Sequence, residues 1–311
     1  MSMTAEALVN TKGMDRKDWL EWRKQGIGGS DAAAIAGLSK WKSPVEVYLE
    51  KVGEIEPGEP GEAAYWGIAL EDLVAQEFTK RTGLKVRRRN AILQHPEHKF
   101  MIANIDREIV GQRSGVECKT TSAFNDGQWE GDRIPDVYTI QCQHYMAVTG
   151  YPSWYIAVLI GGQKFIQKRI DRDEEIISYL IKIESDFWKL VESRTPPAVD
   201  GSESSTEVLN ILYPKAEAGT EIRLPLDAEA LIAEYEAAQA DEKAASLRKD
   251  EAANKIKALL GTAEVGLVGE RKVSWKTVVS NRFDSKLFQS EHPKLYELYA
   301  KPSEYRRFAV K

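Results

Sequence analysis

NIDREIVGQRSGVECKT, residues 104 to 120, holds two short β-branched runs, Glu108 to Val110 and Gly115 to Thr120, separated by a Gly-containing turn. That pattern predicts adjacent strands. In a strand over 115–120, Glu117 and Lys119 are two residues apart and share a face, and Asp106, arriving from the preceding strand, sits opposite them. Two carboxylates on neighbouring strands offer hard oxygen ligands for Mg²⁺. A lysine beside them can orient water and offset developing charge. An E-x-K step taken alone is common, and acidic residues at strand ends are usually solvated.

Upstream, Asp15 to Gln25 reads as a short helix with Asp15 as N-cap, ended by Gly26-Ile27-Gly28-Gly29. Ser30-Asp31 then cap a second helix, and Pro44 to Val52 forms a third. The Pro, Gly and Glu of 54–67 predict a loop, and Ile68 to Thr82 a helix carrying Leu70, Leu73, Val74 and Phe78 at helical spacing. Glu71 on that helix is in a position to supply a third carboxylate. Lys85–Leu93, Met101–Ile105 and the two runs above then form a small antiparallel sheet.

Downstream, Asp136 to Thr149 is helical, and Trp154–Ile160 with Gln163–Ile170 is a hairpin closed by Gly161-Gly162. Asp173 to Glu192 is an amphipathic helix with Ile176, Leu180, Ile183, Phe187 and Leu190 on one stripe. The Pro, Gly and Ser of TPPAVDGSESS (195–205) mark a boundary, dividing a core of residues 1–200 from an extension of 201–311. That extension holds one long helix or a helical hairpin over Asp227–Leu260, two strands in Gly266–Val279, a short helix near Ser290–Tyr299, and the tail Tyr305-Arg306-Arg307-Phe308.

The 311 residues include 43 Lys plus Arg against 48 Asp plus Glu, a net charge of −5, and two Cys. Two thiols exclude a four-Cys iron–sulfur site and a disulfide framework. The N-terminal stretch lacks a signal-peptide pattern, and the longest apolar run, Trp154–Ile160, is far short of a membrane span, so a soluble, cytoplasmic protein is expected. The acidity argues against a diffuse cationic DNA coat. His95, His98, His144 and His292 lack metal-ligand spacing; Trp19, Trp22 and Trp41 either stack on bases or, the preferred reading, pack in the core; and Cys118 reads as a small core residue opposite Glu117.

Four blocks together resemble the YqaJ-like viral recombinase family, which includes lambda-type alkaline exonuclease, within the PD-(D/E)XK nuclease superfamily. They are Trp19-x-x-x-Arg23-x-x-Gly26-Ile27-Gly28-Gly29-Ser30-Asp31-Ala32; Gly67-x-x-x-Glu71; Asn104-Ile105-Asp106 with Glu117-x-Lys119; and Gln141-x-Gln143-x-Tyr145-Met146. They run in the family's order within residues 15–195. The family's first Asp usually lies in S-P-D-G, and here the turn is N-I-D-R. The resemblance implies an α/β fold, a mixed sheet flanked by helices, as a restriction-endonuclease-like core with a C-terminal helical and β extension.

It further implies a 5′→3′ double-strand DNA exonuclease, working in the cytoplasm of a bacterial host and of phage or prophage origin. Such an enzyme leaves 3′ single strands for a single-strand annealing protein, and family members of this kind form a trimer around DNA. Asp106, Glu117 and Glu71 would hold Mg²⁺, with Mn²⁺ able to substitute, and Lys119 and Gln141 would complete the catalytic set. Arg23, Ser30, Gly28 and Gly29 would bind a 5′-phosphate, a role that the Arg fork and a Gly-rich helix N-terminus suit. Without the family, Gly26–Ser30 reads as an ordinary capped helix start. Arg87, Arg88 and Arg89, in the densest basic run, either track phosphates or form a solvated strand face. A site-selective or structure-directed endonuclease and a non-catalytic DNA-end scaffold are the alternatives.

Overall fold

A computed structural model of the chain describes residues 5–58, 61–301 and 304–310. Residues 1–4 of the N-terminal stretch, 59–60 of the expected loop, and 302–303 and 311 near the C-terminus lie outside the described residues. The chain divides into two units, Met1–Leu212 and Tyr213–Lys311.

The first unit opens with a strand absent from the sequence reading, β1 (Glu6–Asn10), followed by α1 (Arg16–Arg23), α2 (Gly29–Ile35) and α3 (Pro44–Val52). The Asp15 carboxylate caps α1 by accepting the Asp18 N–H at 2.8 Å. Ser43 caps α3, which stops at Gly53 in the left-handed region. α4 spans Glu62–Thr82 and so begins inside the expected loop. Ala63, Ala64 and Glu62 are strong helix formers that carry the helix back to Gly61, and the loop signal ends there. Gly67 is tolerated inside α4, where the helix runs past β6, defined below, and a Cβ would lie 3.7 Å from Thr120 Oγ1.

β2 (Val86–Arg87), β3 (Ala91–Gln94), β4 (Ile102–Ala103), β5 (Arg107–Ile109) and β6 (Ser114–Thr121) follow, then a 3-10 turn at Ala123–Trp129 and α5 (Asp136–Thr149). β7 (Ser153–Ile160), β8 (Lys164–Asp171), α6 (Glu174–Glu192) and α7 (Glu203–Leu212) complete the unit. Five strands pair in the order β2-β5-β6-β7-β8, and β1-β3-β4 form a separate three-stranded sheet. The small antiparallel sheet expected from local pattern is therefore corrected. β6 and β7 are parallel over eight residue pairs, because the chain leaves β6 through α5 before returning. The overall class is the mixed α/β arrangement that was expected.

Period-2 alternation decides which layer each side chain joins. Tyr155, Ala157 and Leu159 of β7, with Val116 and Cys118 of β6, pack against Val74 and Phe78 of α4. Trp154, Ile156, Val158 and Ile160 pack on the other face with Cys142 and the Tyr145–Val148 segment of α5. Glu117 and Lys119 alternate with Val116 and Cys118, so they face the α5 side. On α6 the buried line is Ile177, Leu180, Glu184 and Phe187, rotated slightly from the expected stripe and interrupted by a charge. α7 lies in TPPAVDGSESS and beyond. Its Val208 joins the α2–α3 cluster, and Ser204 Oγ accepts the Ser43 N–H at 3.0 Å.

The second unit holds a single 33-residue helix, α8 (Ala228–Leu260), where a long helix and a hairpin were both open. It also holds a β9 (Val265–Val268) and β10 (Arg271–Ser274) hairpin and two short helices, α9 (Ser285–Glu291) and α10 (Pro293–Tyr299). Tyr235 meets Phe308 edge to face. Among the described residues, no helix is long and apolar enough to cross a membrane.

Gly115 pairs with Trp154 across the parallel ladder, and a Cβ there would stand 2.2 Å from the fully buried indole. Gly115→Ala is expected to lower stability by about 1–3 kcal/mol through overpacking. Denaturant unfolding followed by tryptophan fluorescence reads the shift in midpoint.

Candidate active site

Register brings the first two acidic residues together. Arg107 pairs with Val116 in the antiparallel β5–β6 ladder, so Asp106, the next residue outward, falls opposite Glu117. Asp106 Oδ2 accepts the Cys118 N–H at 2.8 Å. Glu117 is 2% exposed and its Oε1 receives two donors: Lys119 Nζ at 2.6 Å and Gln141 Nε2 at 2.7 Å. Glu117 Oε2 is buried and has no hydrogen-bond partner. Burial and the neighbouring Glu117 push the Asp106 carboxyl well above the usual carboxylate range. Burial opposes the charge on Lys119, yet Glu117 and Asp106 outweigh it and hold the ammonium above its ordinary value. The Lys119 ammonium also lies 5.3 Å from the ring centroid of Tyr138.

An unpaired buried carboxylate oxygen beside a second carboxylate fits a cation, and Mg²⁺ or Mn²⁺ suits an all-oxygen donor set. Among the described residues, no three His, Cys, Asp or Glu side chains converge into a ready metal-binding group. The reason is visible at Glu71. Its Oε1 accepts Arg107 Nη1 at 2.5 Å, and Arg107 Nη2 donates to Asp72 Oδ1 at 2.5 Å. Asp106 and Glu117 are thus brought together, and Glu71 lies near them on a guanidinium.

A second polar cluster is built around Asp31, which is fully buried and was read from sequence only as a cap. Its carboxylate accepts Lys51 Nζ at 2.7 Å, Arg23 Nη2 at 3.0 Å and the Gly28 N–H at 3.1 Å, with Lys42 Nζ at 3.4 Å. Burial opposes its ionisation, but Lys51, Arg23 and Lys42 hold it well below the usual carboxylate range. Burial pushes the Lys51 ammonium down to about 8, with help from the like charges of Arg23 and Lys42 and in spite of Asp31. These cations open on a cavity of 180 Å³ lined also by Arg16, Lys24 and Ser30. Glu50, bonded to Lys42, is the one acidic residue among its described lining residues. Of the expected phosphate-binding groups, Arg23 and Ser30 line this cavity, whereas the Gly28 N–H is already committed to Asp31.

The two clusters are braced together. Ile27 bridges Met101 in parallel, with the Ile102 N–H donating to the Ile27 carbonyl at 2.9 Å. Trp19 Nε1 donates to Asn104 Oδ1 at 2.9 Å while the Arg23 guanidinium sits 5.0 Å from its ring centroid. Gly29 is the closest joint. A Cβ there would fall 2.7 Å from Tyr145 and 3.0 Å from Gln141 Cγ, so only glycine lets α2 reach α5. Gln141 in turn donates to Tyr145 Oη at 2.8 Å.

Other expectations fare differently. Arg87 pairs with Glu108 at 2.8 Å and Arg88 with Asp72 at 2.6 Å, so part of the basic run is spent on neighbouring acids; Arg89 is exposed. Through Asp72 the run touches Arg107 and hence the edge of the Glu71 site. Trp41 is 61% exposed and Trp19 and Trp22 are only half-buried on α1, which corrects their reading as core. His144 is buried between α5 and α6, with Nδ1 2.9 Å from Glu184 Oε1 and Nε2 2.8 Å from the Ile102 carbonyl. Lys51, Arg107 and Glu184 were missed by sequence reasoning, since their charged partners lie 20 to 40 residues away, and Lys42 because its partners Glu50 and Asp31, only 8 and 11 residues off, share no helix with it. Tyr145 was signalled by its four-residue spacing from Gln141.

A sequence model of the YqaJ-like viral recombinase domain matches residues 18–152. The chain is 44% identical over 314 residues to the YqaJ protein of Bacillus subtilis (strain 168), covering 100% of this chain and 98% of that one. Among solved structures, an alkaline exonuclease (LHK-Exo) from Laribacter hongkongensis is similar at 18% identity, covering 58% of this chain and 94% of its own, with a TM-score of 0.49. A phage related exonuclease from Haemophilus somnus 129PT is similar at 15% identity over 54% of this chain and 96% of its own, with a TM-score of 0.44. On its full-length identity to the Bacillus subtilis protein, with the domain match at 18–152, the chain belongs to the YqaJ-like viral recombinase family.

Proposed function

We propose that this protein is a divalent-metal-dependent exonuclease that digests duplex DNA from 5′-phosphorylated ends, leaving 3′ single strands for an annealing protein. The observation that carries this reading is the joining, through Gly29, Tyr145 and Gln141, of an electron-rich carboxylate pair to a cationic cavity. A phosphodiester needs a cation and a positioned water at the bond to be cut. A terminal phosphate needs several fixed positive charges nearby. The names of the similar solved structures, an alkaline exonuclease and a phage related exonuclease, support the same class of reaction.

In this reading Asp106 and Glu117 hold Mg²⁺, or Mn²⁺ in its place, with Glu71 within reach as a third ligand. The bound cation supplies Lewis acidity and a water of lowered pKa. Lys119, charged and fixed on Glu117, donates to the phosphoryl oxygens and offsets charge that grows as the bond breaks. Gln141 orients Glu117 by its amide and keeps that carboxylate turned toward the metal. Arg23, Ser30, Lys42 and Lys51 receive the terminal phosphate. The exposed Arg89, with Arg87 and Arg88, borders the path of the strand. The second unit, with its long helix, serves contacts between copies, with a trimer as the expected assembly, or with the annealing partner.

Asp106→Ala and Lys119→Ala are each expected to slow digestion of linear 5′-phosphorylated duplex by roughly a hundred-fold or more. Release of mononucleotides in Mg²⁺ measures this, and normal rates in either variant would sink the assignment. Rapid nicking of a covalently closed circle would favour an endonuclease instead. Arg23→Ala should weaken use of 5′-phosphate ends by about ten-fold while sparing 5′-hydroxyl ends. The preference for 5′-phosphate ends should also fall as pH rises through about 8, where Lys51 loses its proton and the cavity a positive charge. In Lys51→Met that pH dependence should flatten, as measured by competition between the two kinds of end.

A further inference from the structure

We propose that Arg107 governs the access of Glu71 to the metal site, holding its carboxylate in an ion pair that a divalent cation must displace. The inference rests on the reading of Asp106 and Glu117 as metal ligands.

Arg107 directly follows Asp106 in the chain, and its side chain is 5% exposed. Three oxygens anchor its guanidinium: Glu71 Oε1 at 2.5 Å, Asp72 Oδ1 at 2.5 Å and the Asp106 carbonyl at 2.6 Å. Asp72 is itself fixed from outside by Arg88 at 2.6 Å. Arg107 is therefore tied independently to the backbone of Asp106 and to Asp72, and remains in place if Glu71 leaves. Glu71 is the partner that can leave, since Asp72, although more exposed (58% against 28%), is held by a second guanidinium, that of Arg88.

The guanidinium fork suits this task because two of its nitrogens engage two carboxylates on consecutive residues of α4. A lysine, with one ammonium, cannot span both. A fixed positive charge beside a cation site also opposes cation binding directly. Two effects therefore act in the same direction. Arg107 draws Glu71 away from the site and repels the incoming ion, so metal affinity is held below what three free carboxylates would give. Among the described residues the absence of any three converging ligands agrees with this, since Glu71 is the carboxylate that would complete the set.

The test is calorimetric titration of the full chain with Mn²⁺, which needs no DNA and no turnover. Arg107→Gln is expected to bind Mn²⁺ about ten-fold more tightly than the unsubstituted protein. In Arg107→Gln combined with Glu71→Gln, compared with Glu71→Gln alone, most of that gain should disappear, leaving only the smaller part due to lost repulsion. Unchanged or weaker binding in Arg107→Gln overturns the proposal. So does a gain that survives in full in the double variant, which would be repulsion acting without Glu71. Circular dichroism checks the fold of each protein. If Arg107→Gln does not fold, Arg107→Lys takes its place with an expected gain of about two- to three-fold, and no gain there also overturns the idea. Asp106→Asn separates the two levels of the reading. Loss of Mn²⁺ binding in that variant supports the metal site, and full retention removes the site together with the role given to Arg107.

Discussion

A carboxylate removed from water must find positive charge or hydrogen-bond donors, or it will not stay ionised. Glu117 meets that condition on one oxygen only, and much of the first unit follows from keeping it there. The residue has to sit on a central strand to be buried at all. β6 is central because β7 lies parallel to it, which in turn requires the chain to cross over through α5. The same α5 presents Gln141 to Glu117 from one side of the helix and seats Cys142 and Met146 in the core from another. Lys119 follows from the pleat, two residues along and on the same face.

The cluster at Asp31 applies the same electrostatics with the sign reversed. There one buried carboxylate is met by three cationic side chains, and the surplus is positive. At Asp106 and Glu117 the surplus is negative, with a single lysine against two acids. In the proposed reading an anion would complete one cluster and a cation the other, and a terminated phosphodiester strand with a bound metal ion would supply both. In that reading the net charge of −5 does not oppose a DNA partner, since the cations that would meet it are gathered around the cavity beside Asp31.

Legibility in the sequence tracked the range of the interaction. Glu117 and Lys119 were readable because strand alternation is local, whereas Gln141 came only through the family resemblance, its helix from Asp136 to Thr149 being legible but its bond to Glu117 not. α4 was readable in its body, though not at its start, where Ala and Glu propensity ran against the loop signal. β1 and α7 were not readable, since each is stabilised by distant partners, β3 for the one and α3 for the other. Asp31 looked like a cap because that is its local role; Lys42 and Lys51 join it only once α3 folds back. Arg107 stood in the sequence as no more than a departure from a usual turn, and its meaning depends on α4, some 35 residues away.

The contact at Gly29 has a geometric consequence. Because Gly29 seats the α2 backbone directly on the Tyr145 and Gln141 side chains of α5, with no room for a Cβ, packing sets the spacing between the cavity at Arg23 and the carboxylates at Glu117. In the proposed reading, a strand whose end is held at one would meet the other at a set number of bonds. The size of the fragment removed at each step would then be a property of this joint.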